Sequence, residues 1–298
     1  SGVVGQMTLD DQVGQLFMVG KDSGTPADEA YAAMLRETRT GQVLLLGNST
    51  AGVAAIRELT DRIRGMASEP NGVRVFVAAD QEGGRVQRLQ GPGFDTIPTA
   101  VQQAQQSDAE LQASWSGWGG QLKQAGVDVD FAPVADPVPA DKRTTNQPVG
   151  VLQRSYGESA DTVAPKVTAV IGGLHEAGLA TSLKHFPGLG RVTGNTDFTS
   201  GVVDTEIDAN HDDLRAFAAG IQAGSDSVMV STATYNLIDP DSQATFSRAI
   251  VTDLLRDQLR FDGVIISDDL GAAQQVANIP PGERALQFLA AGGDVVIN

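Results

Sequence analysis

The chain of 298 residues contains no cysteine. That excludes a disulfide, a thiolate nucleophile and any Cys-ligated zinc or cluster. Histidine is scarce too: His175, His185 and His211 lie scattered along the chain, so neither a dedicated metal site nor a cofactor is expected. No apolar run reaches the ~20 residues that a membrane span needs. The opening SGVVGQMTLDDQ lacks the basic flank and apolar core of a signal peptide. Because it starts at Ser1 without an initiator methionine, a removed leader upstream is compatible with it, and the compartment stays open. Basic residues are in deficit, 21 Lys and Arg against 37 Asp and Glu, for a formal net charge of −16. Such a field repels phosphate backbones and anionic membranes, so nucleic acid is not an expected partner.

Short apolar, β-branched runs alternate with longer stretches of helical period, the pattern of βαβ units on a parallel sheet. Eight such runs are present, at 14–20, 42–48, 74–80, 127–134, 180–186, 227–233, 263–269 and 294–298. Between them, segments such as 51–67, 160–178, 212–224 and 247–259 carry apolar residues at i, i+3 and i+4. Several of these close on Ala-Gly just before the next strand, in KQAGVD, HEAGLA, QAGSDS and AAGGDV, where glycine suits a left-handed C-cap. The cadence predicts a TIM (β/α)8 barrel forming a single domain over 1–298. The eighth run ends at Asn298, so a closing eighth helix is missing from the chain as given.

In such a barrel the chemistry sits at the C-terminal ends of the strands. There the third run meets Asp80-Gln-Glu-Gly-Gly-Arg85, the fourth leads to Asp136, the fifth ends at Lys184-His185 and the seventh at Asp268-Asp269. Two carboxylates in one pocket point to glycoside chemistry, one attacking the anomeric carbon while a second group protonates the leaving oxygen. Asp268 is the stronger nucleophile candidate, although an Asp after a strand also serves as a helix N-cap. Lys184 and His185 could bind sugar hydroxyls; Lys184 could equally form a Schiff base or a rim salt bridge. Trp115 and Trp118, three residues apart, read as core. His175 reads as a helix-end residue, and His211 as part of a helix entrance capped by a neighbouring Asn or Asp.

Together the stretches VGQLFMVG, DQEGGRVQRL, FAPVADP, RSYG, KHFPG, SVMVSTATYNLIDPDSQATFS and FDGVIISDDL resemble glycoside hydrolase family 3. Within it they are similar to the single-barrel, NagZ-like β-N-acetylglucosaminidase branch. The resemblance covers nearly the whole chain, in order, and implies the TIM barrel independently of the strand count. It implies a retaining exo-β-N-acetylglucosaminidase acting on peptidoglycan fragments, with Asp268 as nucleophile. Asp80, Arg88, Arg154, Lys184 and His185 match the family's sugar-binding positions. The implied partner is a small GlcNAc-containing muropeptide or disaccharide bound by a monomer. Exported actinobacterial relatives suggest an extracytoplasmic, lipoprotein-anchored protein, with the cytoplasm as the alternative.

One stretch departs from the family. The branch reads KHFPGHGxxxxDSH, with an Asp–His acid/base pair on a mobile loop; here the letters are KHFPGLGRVTGNTD. Leu189 replaces the second histidine, Asn195 the dyad aspartate and Asp197 the dyad histidine. Asp197 itself is the leading acid/base candidate, provided the loop desolvates it beside the nucleophile. Glu82, Asp136 and Asp204 are the other candidates. Alternative functions are β-glucosidase or GlcNAc phosphorylase activity, or muropeptide binding without turnover.

Overall fold

The computed structural model describes residues 2–298. Eight parallel strands close into a barrel: β1 (Phe17–Asp22), β2 (Gln42–Leu46), β3 (Phe76–Ala79), β4 (Val129–Asp130), β5 (Ala180–Phe186), β6 (Ser227–Val230), β7 (Val264–Asp269) and β8 (Val295–Ile297). Strands adjacent in sequence are adjacent in the barrel, and β1 closes on β8 through Phe17 opposite Val296 and Met18 opposite Ile297. Each of the eight apolar runs supplies one strand. The run at 127–134 keeps only two regularly paired residues. Pro133 has no N–H to give the ladder, and beyond Asp130 the connection to β5 continues through separate bonds such as Ser182 N to Ala132 O, 3.0 Å, and Ala135 N to Lys184 O, 2.7 Å.

Seven helices follow the first seven strands on the outside: α1 (Glu29–Thr38), α2 (Gly52–Met66), α3 (Asp108–Gln124), α4 (Ala160–Glu176), α5 (Leu214–Gln222), α6 (Ala249–Gln258) and α7 (Pro281–Ala291). The four segments with helical period become α2, α4, α5 and α6. Their starts are set locally; Ser107 and Glu110 close a capping box at the head of α3. Helix α6 is wound wider than an α-helix, ending with a bond from Leu259 N to Leu254 O. At α5 His211 stands at the helix entrance and Asp213 takes the N-cap position, but the expected side-chain cap is not made. The His211 Nδ1 accepts the N–H of Asp213 at 3.2 Å, while the Asp213 carboxylate is occupied by Arg191, so no side chain caps this helix.

The Ala-Gly closures hold, with φ of +83° at Gly126 and +77° at Gly178, a region in which only glycine is unstrained. Two residues after three of these glycines stands an aspartate, and the three share one task. Asp128, ahead of β4, accepts the N–H of Val77 on β3; Asp226, ahead of β6, that of Thr181 on β5; Asp294, ahead of β8, that of Ile265 on β7. Each also meets a basic side chain: Arg64 and Arg74 at Asp128, the imidazole of His175 at Asp226 and Arg256 at Asp294. Every even strand from β4 onward is thereby stitched to its odd neighbour at the barrel's N-terminal end.

The barrel interior is plugged by Met18, Leu44, Ala78, Phe131, Met229, Ile266, Val295 and Ile297. A larger apolar layer separates strands from helices. Trp115 is fully buried in that layer, edge-on to the half-buried Trp118 at 5.4 Å, and its indole N–H donates to Gln103 Oε1. His175 sits in the last turn of α4. No described helix is long and apolar enough to cross a membrane.

Candidate active site

Above the plug, at the C-terminal end of the barrel, lies a cavity of about 340 Å³. Its wall brings together Asp80, Arg88, Arg154, Lys184, His185, Asp197 and Asp268, with Leu44, Phe131, Met229 and Ile297 as an apolar floor. Strand ends deliver most of these groups: Asp80 follows β3, Lys184 and His185 immediately precede the last residue of β5, Phe186, and Asp268 lies at the end of β7. Arg88 stands beyond a hairpin of 81–83 and 86–87, and Arg154 comes from the long connection before α4. A larger cavity of about 550 Å³ beside Val138, Val151 and Tyr156 has no carboxylate in its wall, so it lacks the means for acid–base work.

Lys184 is the electrostatic centre. It is 1% exposed, with Nζ 2.8 Å from Asp80 Oδ1 and 2.6 Å from Glu82 Oε1. Burial works against its ammonium, but the flanking carboxylates outweigh it and hold the pKa above that of an ordinary lysine. An amine so held lacks the free lone pair that Schiff-base formation requires. Burial likewise works against ionised Glu82, yet Arg154 and Lys184 overcome it and keep the acid far below the usual carboxylate range. The Arg154 fork grips Glu82 at 2.7 and 2.8 Å. Glu82 therefore has no proton to donate and serves as counter-ion to two cations.

Asp136 is fully buried and absent from the cavity wall. It accepts from the His185 and Leu189 amides and from His185 Nδ1, the last at 2.8 Å. Since a carboxylate can only accept, Nδ1 carries the proton, and Nε2 faces Arg154 Nη2 at 3.4 Å. Asp136 fixes an imidazole and does not reach a ligand. Asp204 is also buried outside the cavity, where Oδ1 accepts from the Glu206 and Ile207 amides. None of the three other acid candidates thus combines a free proton with a place at the cavity.

Asp197 does. It stands exposed at the mouth; crowding by the surrounding protein first, and the negative charge of Asp268 second, raise its carboxyl to about 6 against the opposing pull of His185 and Arg154. The backbone around it is held by residues that composition and spacing did not single out. Asn195 Oδ1 accepts the Asp197 N–H at 3.0 Å, and its carbonyl accepts from Phe198 and Thr199. From the loop after β7, Gln274 N donates to Asp197 O and Gln275 N to Thr196 O, both at 3.1 Å. The buried Gln275 side chain both accepts from Val202 N and donates to Val202 O. Asn146 donates to the carbonyls of Leu189 and Val192. The loop expected to be mobile is in this structure tied to the loop that follows Asp268. At the end of β7 both aspartates line the cavity: among the described residues Asp268 Oδ1 accepts only from Asp269 N, while Asp269 Oδ1 is taken up by the amides of Gly271 and Ala272 and closes the turn.

A closed parallel barrel with this constellation over its C-terminal end is accompanied by a match to the glycosyl hydrolase family 3 N-terminal domain over residues 8–298. This chain belongs to glycosyl hydrolase family 3. As a family 3 protein it is a glycoside hydrolase. It is 45% identical to the β-N-acetylhexosaminidase of Beutenbergia cavernae, whose crystal structure superposes with a TM-score of 0.95 over 98% of this chain and 87% of that one. A β-hexosaminidase of Xanthomonas axonopodis pv. citri is 33% identical over 290 residues, 92% of this chain and 81% of its own. NagZ from Neisseria gonorrhoeae, solved with N-trifluoroacetyl-D-glucosamine, is 26% identical with a TM-score of 0.80, covering 95% and 80%. Among the described residues no cluster of His, Asp or Glu forms a metal-binding group.

Proposed function

We propose that this protein is a retaining exo-β-N-acetylglucosaminidase that releases terminal GlcNAc from peptidoglycan fragments, with Asp268 as nucleophile and Asp197 as acid/base. The observation that carries the reading is the pairing, across one cavity, of Asp268 with an Asp197 carboxyl raised to about 6. The names of the hexosaminidase relatives support an N-acetylhexosamine as the sugar, and the glucosamine derivative bound to the Neisseria gonorrhoeae protein supports the gluco form. The apolar floor of Leu44, Phe131, Met229 and Ile297 supports attack from a chain end, because it belongs to the side chains that plug the barrel beneath the cavity.

In this mechanism Asp80, Lys184, Arg154, His185 and Arg88 hold the ring hydroxyls through charge-assisted hydrogen bonds. Asp268 attacks the anomeric carbon while Asp197 passes its proton to the glycosidic oxygen, and the aglycone departs with that proton. Asp197, now ionised, takes a proton from water, whose oxygen attacks the same carbon and frees Asp268. Retention follows from two inversions.

Two variants test the roles. Asp268→Ala abolishes turnover of every glycoside; full retained activity would remove Asp268 from the mechanism. Asp197→Ala loses about 10²–10⁴-fold on a disaccharide, the usual worth of a general acid. It loses far less on a nitrophenyl glycoside, whose leaving group needs no proton, and azide rescues part of the rate. An unchanged rate on the disaccharide would refute the assignment of Asp197.

A further inference from the structure

Phe198 follows Asp197 directly and is the most exposed large apolar side chain among the described residues, at 81%. It also lines the mouth of the cavity. Its backbone is fixed on both sides: Phe198 N donates to Asn195 O at 3.1 Å, and Gln274 N holds the carbonyl of Asp197. The chain thus presents a phenyl ring to solvent on an anchored turn. Single exposed hydrophobes are ordinary on protein surfaces. This one adjoins a carboxylate in a ligand cavity, and its neighbours at the rim, Asn195, Asp197 and Asp269, are polar.

We infer that Phe198 is the platform of a leaving-group subsite, stacking on the C–H face of the pyranose attached to the scissile oxygen. The inference rests on Asp197 acting as the acid. An acid must touch the glycosidic oxygen, and the departing sugar is bonded to that same oxygen. The next residue in the chain lines the same cavity as Asp197, which places its ring on the side where that sugar departs. A pyranose suits the place because it offers an apolar C–H face to the phenyl and a hydroxyl edge to the polar rim. Leu46, 43% exposed at the end of β2, adds a second apolar surface to the same mouth. Phe198 is a specificity-determining residue here, since it touches the group that leaves and takes no part in proton transfer.

The experiment compares wild type, Phe198→Ala and Phe198→Trp on a β-1,4-linked GlcNAc disaccharide and on N-acetylglucosaminyl fluoride, whose leaving group is one atom. The ratio of kcat/KM for the disaccharide to that for the fluoride falls about tenfold in Phe198→Ala and returns in Phe198→Trp, the magnitude of an aromatic stacking contact. An equal fall on both substrates, or no fall on either, would overturn the inference. A parallel calorimetric measurement uses Asp268→Ala protein with intact disaccharide and with GlcNAc. The affinity advantage of the disaccharide disappears when Phe198→Ala is added; an advantage that persists counts against the platform. Because binding needs no turnover, this arm separates failure of the platform from failure of the glycosidase mechanism.

Discussion

Asp197 shows what one residue can do where a family pattern has been broken. A carboxyl raised to about 6 is protonated below that pH and ionised above it. In the proposed mechanism glycosyl transfer to Asp268 needs the acid form, so kcat/KM on a disaccharide falls about tenfold per pH unit above an alkaline limb near 6. Hydrolysis of the intermediate needs the base form, which glycosylation itself favours, because the ester at Asp268 no longer carries the negative charge that raises the Asp197 carboxyl. A pH profile of kcat/KM measures the limb directly, and Asp197→Asn removes it. A limb that stays in place in that variant would assign it to another group. The surrounding basic side chains are held by other carboxylates: Lys184 and Arg154 are each bound to Glu82, and the imidazole of His185 is fixed by Asp136. Lys184, His185 and the replacement of the usual histidine by Asp197 were legible because each follows directly from position in a motif. The exclusion of Glu82 was not, since its proton affinity depends on Arg154, 72 positions away in sequence.

Two loops, one after β5 and one after β7, are joined by Gln275. Its side chain is 4% exposed and satisfies both backbone groups of Val202, so the span that carries Asp197 is referenced to the loop that follows Asp268. Gln275→Ala releases that span. Turnover of a disaccharide falls about tenfold, as expected for a misplaced acid, and the alkaline limb moves below 6 as Asp197 leaves the protein that crowds it and the charge of Asp268. Gln275→Glu keeps the acceptor for Val202 N, loses the donor to Val202 O, and falls between. If Gln275→Ala lowers thermal stability while leaving the limb at 6, the clamp is structural only. No local pattern announces such a residue, because an isolated Gln in a loop reads as solvent-facing until the fold brings Val202 to it. The stitching aspartates were closer to view: the sequence shows G-x-D after three helices, but only the register of the barrel reveals the N–H that each one caps.

For the whole molecule, the stability of the N-terminal end and the chemistry of the C-terminal end are spatially separate. Asp128→Ala leaves Arg64, Arg74 and the Val77 amide without their common acceptor in a mostly buried setting and costs about 3 kcal/mol in denaturant unfolding. KM for a disaccharide stays as in the wild type, because Asp128 lies ahead of β4, at the opposite end from the cavity. A changed KM with unchanged stability would contradict this division. The net charge of −16 is spread over the chain, whereas Arg88, Arg154, Lys184 and His185 are gathered on the cavity wall. The number of strands, their order and the acids and bases at their ends follow from the sequence alone, because apolar period and strand-end polarity are local properties of a chain folding as consecutive βα units. The protonation of Asp197, the ionic trapping of Glu82 and Lys184 and the bond between the two loops were decided only by tertiary structure. Each depends on charges, burial or backbone groups that residues distant in sequence bring to within hydrogen-bonding or Coulombic range.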